Sequence, residues 1–145
     1  MNITNQKSGQ ILILWDNVTQ RNNLSTFFRL HGFSVDISAD GFQGLSMIEN
    51  QLPEPFNIIL VGDDLSSLPP EDVLVMLNSQ FKVEEKPCII KIFHDQKVEN
   101  EALNELKQLG VDMVLTGTIN LNTLLKFVNE KADEHKKKLK LLRQK

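Results

Sequence analysis

Cysteine occurs once in the 145 residues, as Cys88, so no disulfide framework is available and a reducing compartment, the cytoplasm, is expected. No apolar run approaches the ~20 residues that a membrane-spanning helix needs, and no membrane partner is expected. The opening stretch Met1-Asn-Ile-Thr-Asn-Gln-Lys-Ser-Gly-Gln10 is polar and lacks the apolar centre of a secretory signal. Neither sign of charge dominates: the net value of −3 is too mild to point to nucleic acid. Histidine is scarce, and His31, His94 and His135 lie in separate segments without ligand spacing or a neighbouring nucleophile, so no metal site is read from them. The one glycine pair near a strand end, Gly41-Phe-Gln-Gly44, lacks the spacing that cradles a pyrophosphate, and no cofactor is expected. Tyrosine is absent altogether.

What the chain does have is rhythm. Five short apolar runs, Ile11 to Trp15, Phe33 to Ile37, Phe56 to Val61, Cys88 to Phe93 and Met113 to Leu115, alternate with stretches of helical character. That alternation predicts an α/β fold with a parallel sheet and crossover helices on both faces. Val18 to Leu30 reads as a first helix stopped by Gly32, and Asp40 caps a second from Gly41 to Gln51, ended by Pro53 and Pro55. Pro69 and Pro70 lead into a third helix whose apolar face is Val73 to Leu77. Asn100 to Leu109 forms a fourth, closed by Gly110, and a last helix starts near Asn120. At 41% hydrophobic residues the chain can bury a core of its own, and residues 1–130 are read as one domain with 131–145 as a basic helical extension or tail.

Ligand chemistry in such a sheet belongs at the carboxyl ends of the strands. Here those ends read Trp15-Asp16-Asn17, Gly62-Asp63-Asp64, Ile92-Phe93 and Gly117-Thr118. The segments Ile11 to Asn17, Phe56 to Gly62, Pro87 to Phe93 and Gly110 to Thr118 together resemble the receiver domain of bacterial response regulators over about residues 9 to 130. The resemblance implies the CheY-like, flavodoxin-like architecture: five parallel strands in the order 2-1-3-4-5, here with an extended C-terminal helix. It also implies a site, and this chain departs from it. Trp15 stands at the first acidic position and Asp16 at the second, Gly62 at the phosphoaccepting aspartate, Ile92 at the usual Thr or Ser, and Gly117 at the site lysine.

Acyl-phosphate formation needs a carboxylate nucleophile and a divalent cation held by hard oxygen ligands. Loss of nucleophile, metal carboxylate, hydroxyl and lysine together removes the means of stabilising the transferring phosphoryl group. The chain is therefore read as a non-enzymatic, degenerate pseudo-receiver in two-component or phosphorelay signal transduction, acting by protein–protein interaction without phosphorylation. Two rival readings stand beside it: a phosphorylatable response regulator with its acceptor displaced to Asp63, and a small-molecule-binding module using the crevice under Trp15. Asp63 and Asp64 are otherwise expected in a solvated loop, and Asp16 is expected to cap the helix after Asn17.

Leu121, Leu125, Val128, Ala132, His135, Leu139 and Leu142 recur at steps of four and three, a seam of heptad type. A helix running through the lysines beyond residue 135 is expected to pair with a protein partner or a fused output domain, or with its twin as a homodimer. The partner-binding residues are Val114, Leu121, Leu125, Val128, Leu139 and Leu142, since the resemblance implies signalling through the fifth strand and the last two helices. With no tyrosine in the chain, the aromatic that normally reports phosphorylation near Val114 is missing.

Overall fold

The computed structural model describes residues 8–50, 54–94 and 97–144. Five strands, β1 (Gly9–Leu14), β2 (Phe33–Ser38), β3 (Ile58–Val61), β4 (Cys88–Phe93) and β5 (Met113–Thr116), form one sheet in the order β2-β1-β3-β4-β5. Every pairing is parallel, as the alternation with helices requires. Between and after the strands run α1 (Val18–Leu30), α2 (Gly41–Glu49), α3 (Pro70–Gln80), α4 (Asn100–Gln108) and α5 (Leu121–Arg143), with a turn of 3-10 helix at Val83–Glu85 before β4.

The period-two alternation of the strands sorts the core into two layers. Ile11, Ile13, Ile58, Leu60, Ile90 and Ile92 point to one face, where Leu24 and Phe28 of α1 and Leu124, Val128 and Ala132 of α5 cover them. Leu12, Leu14, Ile59, Val61 and Ile89 point to the other, under Leu45 and Ile48 of α2, Leu74 and Leu77 of α3 and Leu106 of α4. Gly44 belongs to that second layer: an added Cβ would come 2.5 Å from the Leu14 side chain, so only glycine lets α2 approach β1 this closely.

Helix boundaries follow local chemistry. Asn17, Asp40 and Asn120 each accept a hydrogen bond from the backbone N–H three residues on, the N-cap geometry, and Pro70 opens α3 where its missing N–H is no loss. The α1 cap is thus Asn17, not Asp16; the Asn17 oxygen is already in place for Gln20, and Asp16 is left exposed. Gly32 and Gly110 take φ of +90° and +84° where α1 and α4 end. The expected end of α2 at Gln51 falls in residues 51–53, outside the described residues.

The last helix runs 23 residues without interruption, about 34 Å, and Ala132 and His135 are still buried against the domain. Among the described residues no helix is long and apolar enough to cross a membrane.

Candidate functional site: a filled crevice

Because β2 lies on one side of β1 and β3 on the other, the chain reverses its winding between β1 and β3, and the crevice opens at their carboxyl ends. Trp15 and Gly62 meet there. Trp15 follows directly on Leu14 and is 1% exposed, packed in the layer under α1 and α5. The Gly62 N–H donates to Leu14 O at 2.8 Å, which continues the β1–β3 ladder one residue past the strand. An added Cβ at Gly62 would stand 2.2 to 2.4 Å from three atoms of the indole ring, Cγ, Cδ1 and Cδ2. Gly62 has no left-handed φ, so what excludes a side chain is volume rather than backbone conformation. The indole occupies the place that any side chain on residue 62 would take.

Three loops are then tied across this filled crevice. The Asp16 N–H donates to Asp64 O at 2.9 Å, linking the loop after β1 to the loop after β3. Both carboxylate oxygens of Asp63 accept from the His94 N–H at 3.0 Å, linking the loop after β3 to the end of β4. Gln20 at the start of α1 meets His94 Nε2 at 3.2 Å, and the His94 ring stands edge-on to Trp15 with centroids 6.4 Å apart. Asp63 is therefore half-buried and engaged, which corrects the expectation of a solvated loop residue. Burial raises its carboxyl above the ordinary range, against the lowering effect of the His94 N–H and the nearby Lys91 charge. Arg21 completes the enclosure, donating from Nη1 to Trp15 O at 3.0 Å.

Lys91 was not among the site residues expected from sequence. Its side chain is fully buried on the α2–α3–α4 face of the sheet, in register with Val61. Nζ donates to Gly62 O at 2.9 Å and to Ile92 O at 3.2 Å, and sits 3.8 Å from the centroid of the Phe93 ring. Burial pushes its pKa down to about 8, with Asp63, Glu71 and Asp64 partly opposing. The amine thus binds the backbone of residue 62 from behind while the indole fills the space in front. One signal could have found it: a lysine set between isoleucines inside a strand buried on both faces must bring its own partners.

The comparisons bear on the fold. No protein-family model matches the sequence, and no curated protein matches it. Solved structures do. The signal receiver domain of a Vibrio parahaemolyticus protein described as a Luxo repressor superposes with a TM-score of 0.76 at 19% identity, covering 94% of this chain and 98% of its own. A CheY-like response regulator receiver domain from Methanospirillum hungatei JF-1 gives 0.75 at 24% identity, covering 89% and 97%. This chain has the receiver fold. A third neighbour, the receiver domain of the Pseudomonas aeruginosa sensor histidine kinase PA1611, gives 0.69 at 18% identity over 86% and 98%, and its structure holds a magnesium ion coordinated in the active-site cleft.

The remaining expected residues fall in two groups. Ile92 is fully buried in the α1–α5 layer and offers no hydroxyl, while Gly117 takes φ +71° with open space around it, its N–H donating to Phe93 O at 3.0 Å. Asp16 and Asn17 are exposed. Among the described residues no three His, Cys, Asp or Glu side chains are grouped to hold a metal ion.

The seam on α5 divides. Val128 is 0% exposed and faces the sheet, so it is core and not a partner contact. Leu124, Val128, Ala132 and His135 form the buried stripe, which uses the middle of the heptad pattern to hold the helix on its own domain. Val114, Leu125, Leu139 and Leu142 are half-buried, Leu121 is exposed, and Leu141, off the seam, is 62% exposed. His135 ends the stripe in a fixed hydrogen-bond chain. The Gln10 N–H donates to Asn57 Oδ1 at 2.9 Å, so the Asn57 amide nitrogen faces His135 Nδ1 at 2.9 Å and donates to it. His135 Nε2 then donates to Glu85 O at 3.0 Å, since a carbonyl only accepts. Burial lowers the histidine pKa, which suits this neutral tautomer.

Proposed function

We propose that this receiver-fold domain is a pseudo-receiver: it serves signal transduction through protein–protein contact and does not depend on phosphorylation. The observation that carries the reading is the contact between Trp15 and Gly62. A receiver phosphorylated at the end of β3 needs a carboxylate there, a metal ion beside it and room for the phosphoryl oxygens. In this chain the position is glycine, its side-chain volume is filled by an indole, and neither Ile92 nor Gly117 offers a donor to a phosphoryl group. The bonds from Asp16 to Asp64 and from Asp63 to His94 favour one arrangement of the crevice loops, which suits a domain that presents one surface at all times.

The rival acceptor, Asp63, has one feature in its favour, a raised carboxyl pKa close to a buried amine. Against it, both of its oxygens are engaged by the His94 N–H, and the Lys91 amine is committed to two carbonyls. A ligand stacked on Trp15 is disfavoured by the burial of the ring. Calorimetric titration with magnesium, alone and with beryllofluoride as a phosphoryl mimic, tests the proposal. No saturable heat is expected in either case. Magnesium-dependent binding of beryllofluoride would overturn it.

A further inference from the structure

The basic end of α5 and an acidic groove beside α4 are complementary in charge and both carry apolar surface. Residues 136–145 hold six of the sixteen Lys and Arg and no Asp or Glu, so the other 135 residues carry −9 between them. Lys136 and Lys137 are engaged, by Ser8 O and by Asp133. Lys138, Lys140 and Arg143 have no hydrogen bond or ion pair among the described residues, and Leu141 stands exposed among them. On the opposite face of the sheet, a groove of about 560 Å³ runs along α4. Glu71, Glu99, Glu101 and Glu105 rim it, Ala102 and Leu106 lie in its floor, and Lys97 is the one cation among its described lining residues. All four glutamates are exposed, and among the described residues none of their carboxylates has a hydrogen bond or ion pair.

We infer that the groove receives the α5 end of a second copy of this chain. The molecule's own helix cannot reach it. α5 packs on the α1 side of the sheet, α4 lies on the other, and the helix is continuous to Arg143. Apolar Leu141 against the groove floor gives the contact its burial, and Lys138, Lys140 and Arg143 against the glutamates give its orientation. Such a contact joins two different surfaces: it closes where two copies exchange their α5 ends reciprocally or complete a ring, and extends head to tail where the rotation does not close. A symmetric pairing of two α5 helices is less suited, because the middle of the seam is already buried in its own domain. The inference names one partner for the proposed protein–protein role, and its failure would leave the crevice argument untouched, since it is read from mass and not from phosphoryl chemistry.

Sedimentation of the full chain tests it with two variants that reverse charge at exposed positions: Glu101→Lys with Glu105→Lys, and Lys138→Glu with Lys140→Glu and Arg143→Glu. For the wild type, average mass is expected to rise with concentration in low salt and to return to the monomer in about 0.5 M salt, where charge interactions are screened within a few Å. Each variant alone should be monomeric, and an equal mixture should associate again, because each then offers the complement of the other. The inference is overturned if the wild type stays monomeric in low salt or the mixture stays monomeric. It is equally overturned if the groove variant associates as the wild type does, the result expected of α5 pairing with its twin.

Discussion

Trp15 and Gly62 are predicted to be energetically coupled, and the structure sets the size of the effect. Trp15→Ala removes a fully buried ring from the layer under α1 and α5, at a cost of about 3 to 5 kcal/mol. Gly62→Ala places a methyl group 2.2 Å from the indole, where ordinary contact begins at 3.4 Å, so the ring must retreat by about 1 Å against a packed neighbourhood. Overpacking of that kind costs about 1 to 3 kcal/mol. With the ring gone the same methyl group meets no clash and fills part of the void, worth about 0.8 kcal/mol, while the lower entropy of the unfolded chain on replacing glycine is common to the single and double variants and cancels between them. The double variant should therefore be more stable than the sum of the single ones by about 2 to 3 kcal/mol, within the range seen for residues in direct contact. Urea unfolding followed by far-ultraviolet circular dichroism is the assay, since Trp15 is the sole tryptophan and its removal abolishes the fluorescence signal. Additivity within about 0.5 kcal/mol would show that the two residues do not compete for one space, and would refute the filled-crevice argument.

Two titrating groups give pH-dependent expectations. The Lys91 amine falls from its ordinary 10.5 to about 8 on folding, so between those values the unfolded chain holds more protons and stability rises with pH. Across that interval the wild type should gain about 3 kcal/mol relative to Lys91→Met, read from urea midpoints, and parallel curves would contradict a buried amine. His135 is also lowered by burial, so its contribution is complete above its ordinary 6.5 and is lost as pH falls through the folded value. Protonation would cost the hydrogen bond from Asn57, and a His135→Gln variant should lose the part of the acid sensitivity that this histidine supplies; an unchanged acid profile would place the sensitivity elsewhere.

Architecture was legible because hydrophobic period and turn chemistry act locally. The run Ile11 to Trp15, the cap at Asp40, the proline opening α3 and the stop at Gly110 each point to one element, and the strand order then followed from the resemblance. The crevice was legible as a set of departures. That Gly62 and Trp15 compensate each other depends on a contact between β1 and β3, which no window of sequence contains. Lys91 was hidden for the same reason: its partners are backbone carbonyls, one of them just past the neighbouring strand β3, and carbonyls leave no mark in sequence. The seam on α5 misled because a stripe that packs on its own domain and one that packs on a partner have the same period. Asn57 and His135, 78 positions apart, meet only once the sheet has formed.

Phosphoryl transfer itself tests the central claim most directly. Intact-mass analysis of the full chain after incubation with acetyl phosphate and magnesium should show a single unmodified species. A phosphoryl adduct that disappears in an Asp63→Asn variant would contradict the account and make Asp63 the acceptor of a working receiver.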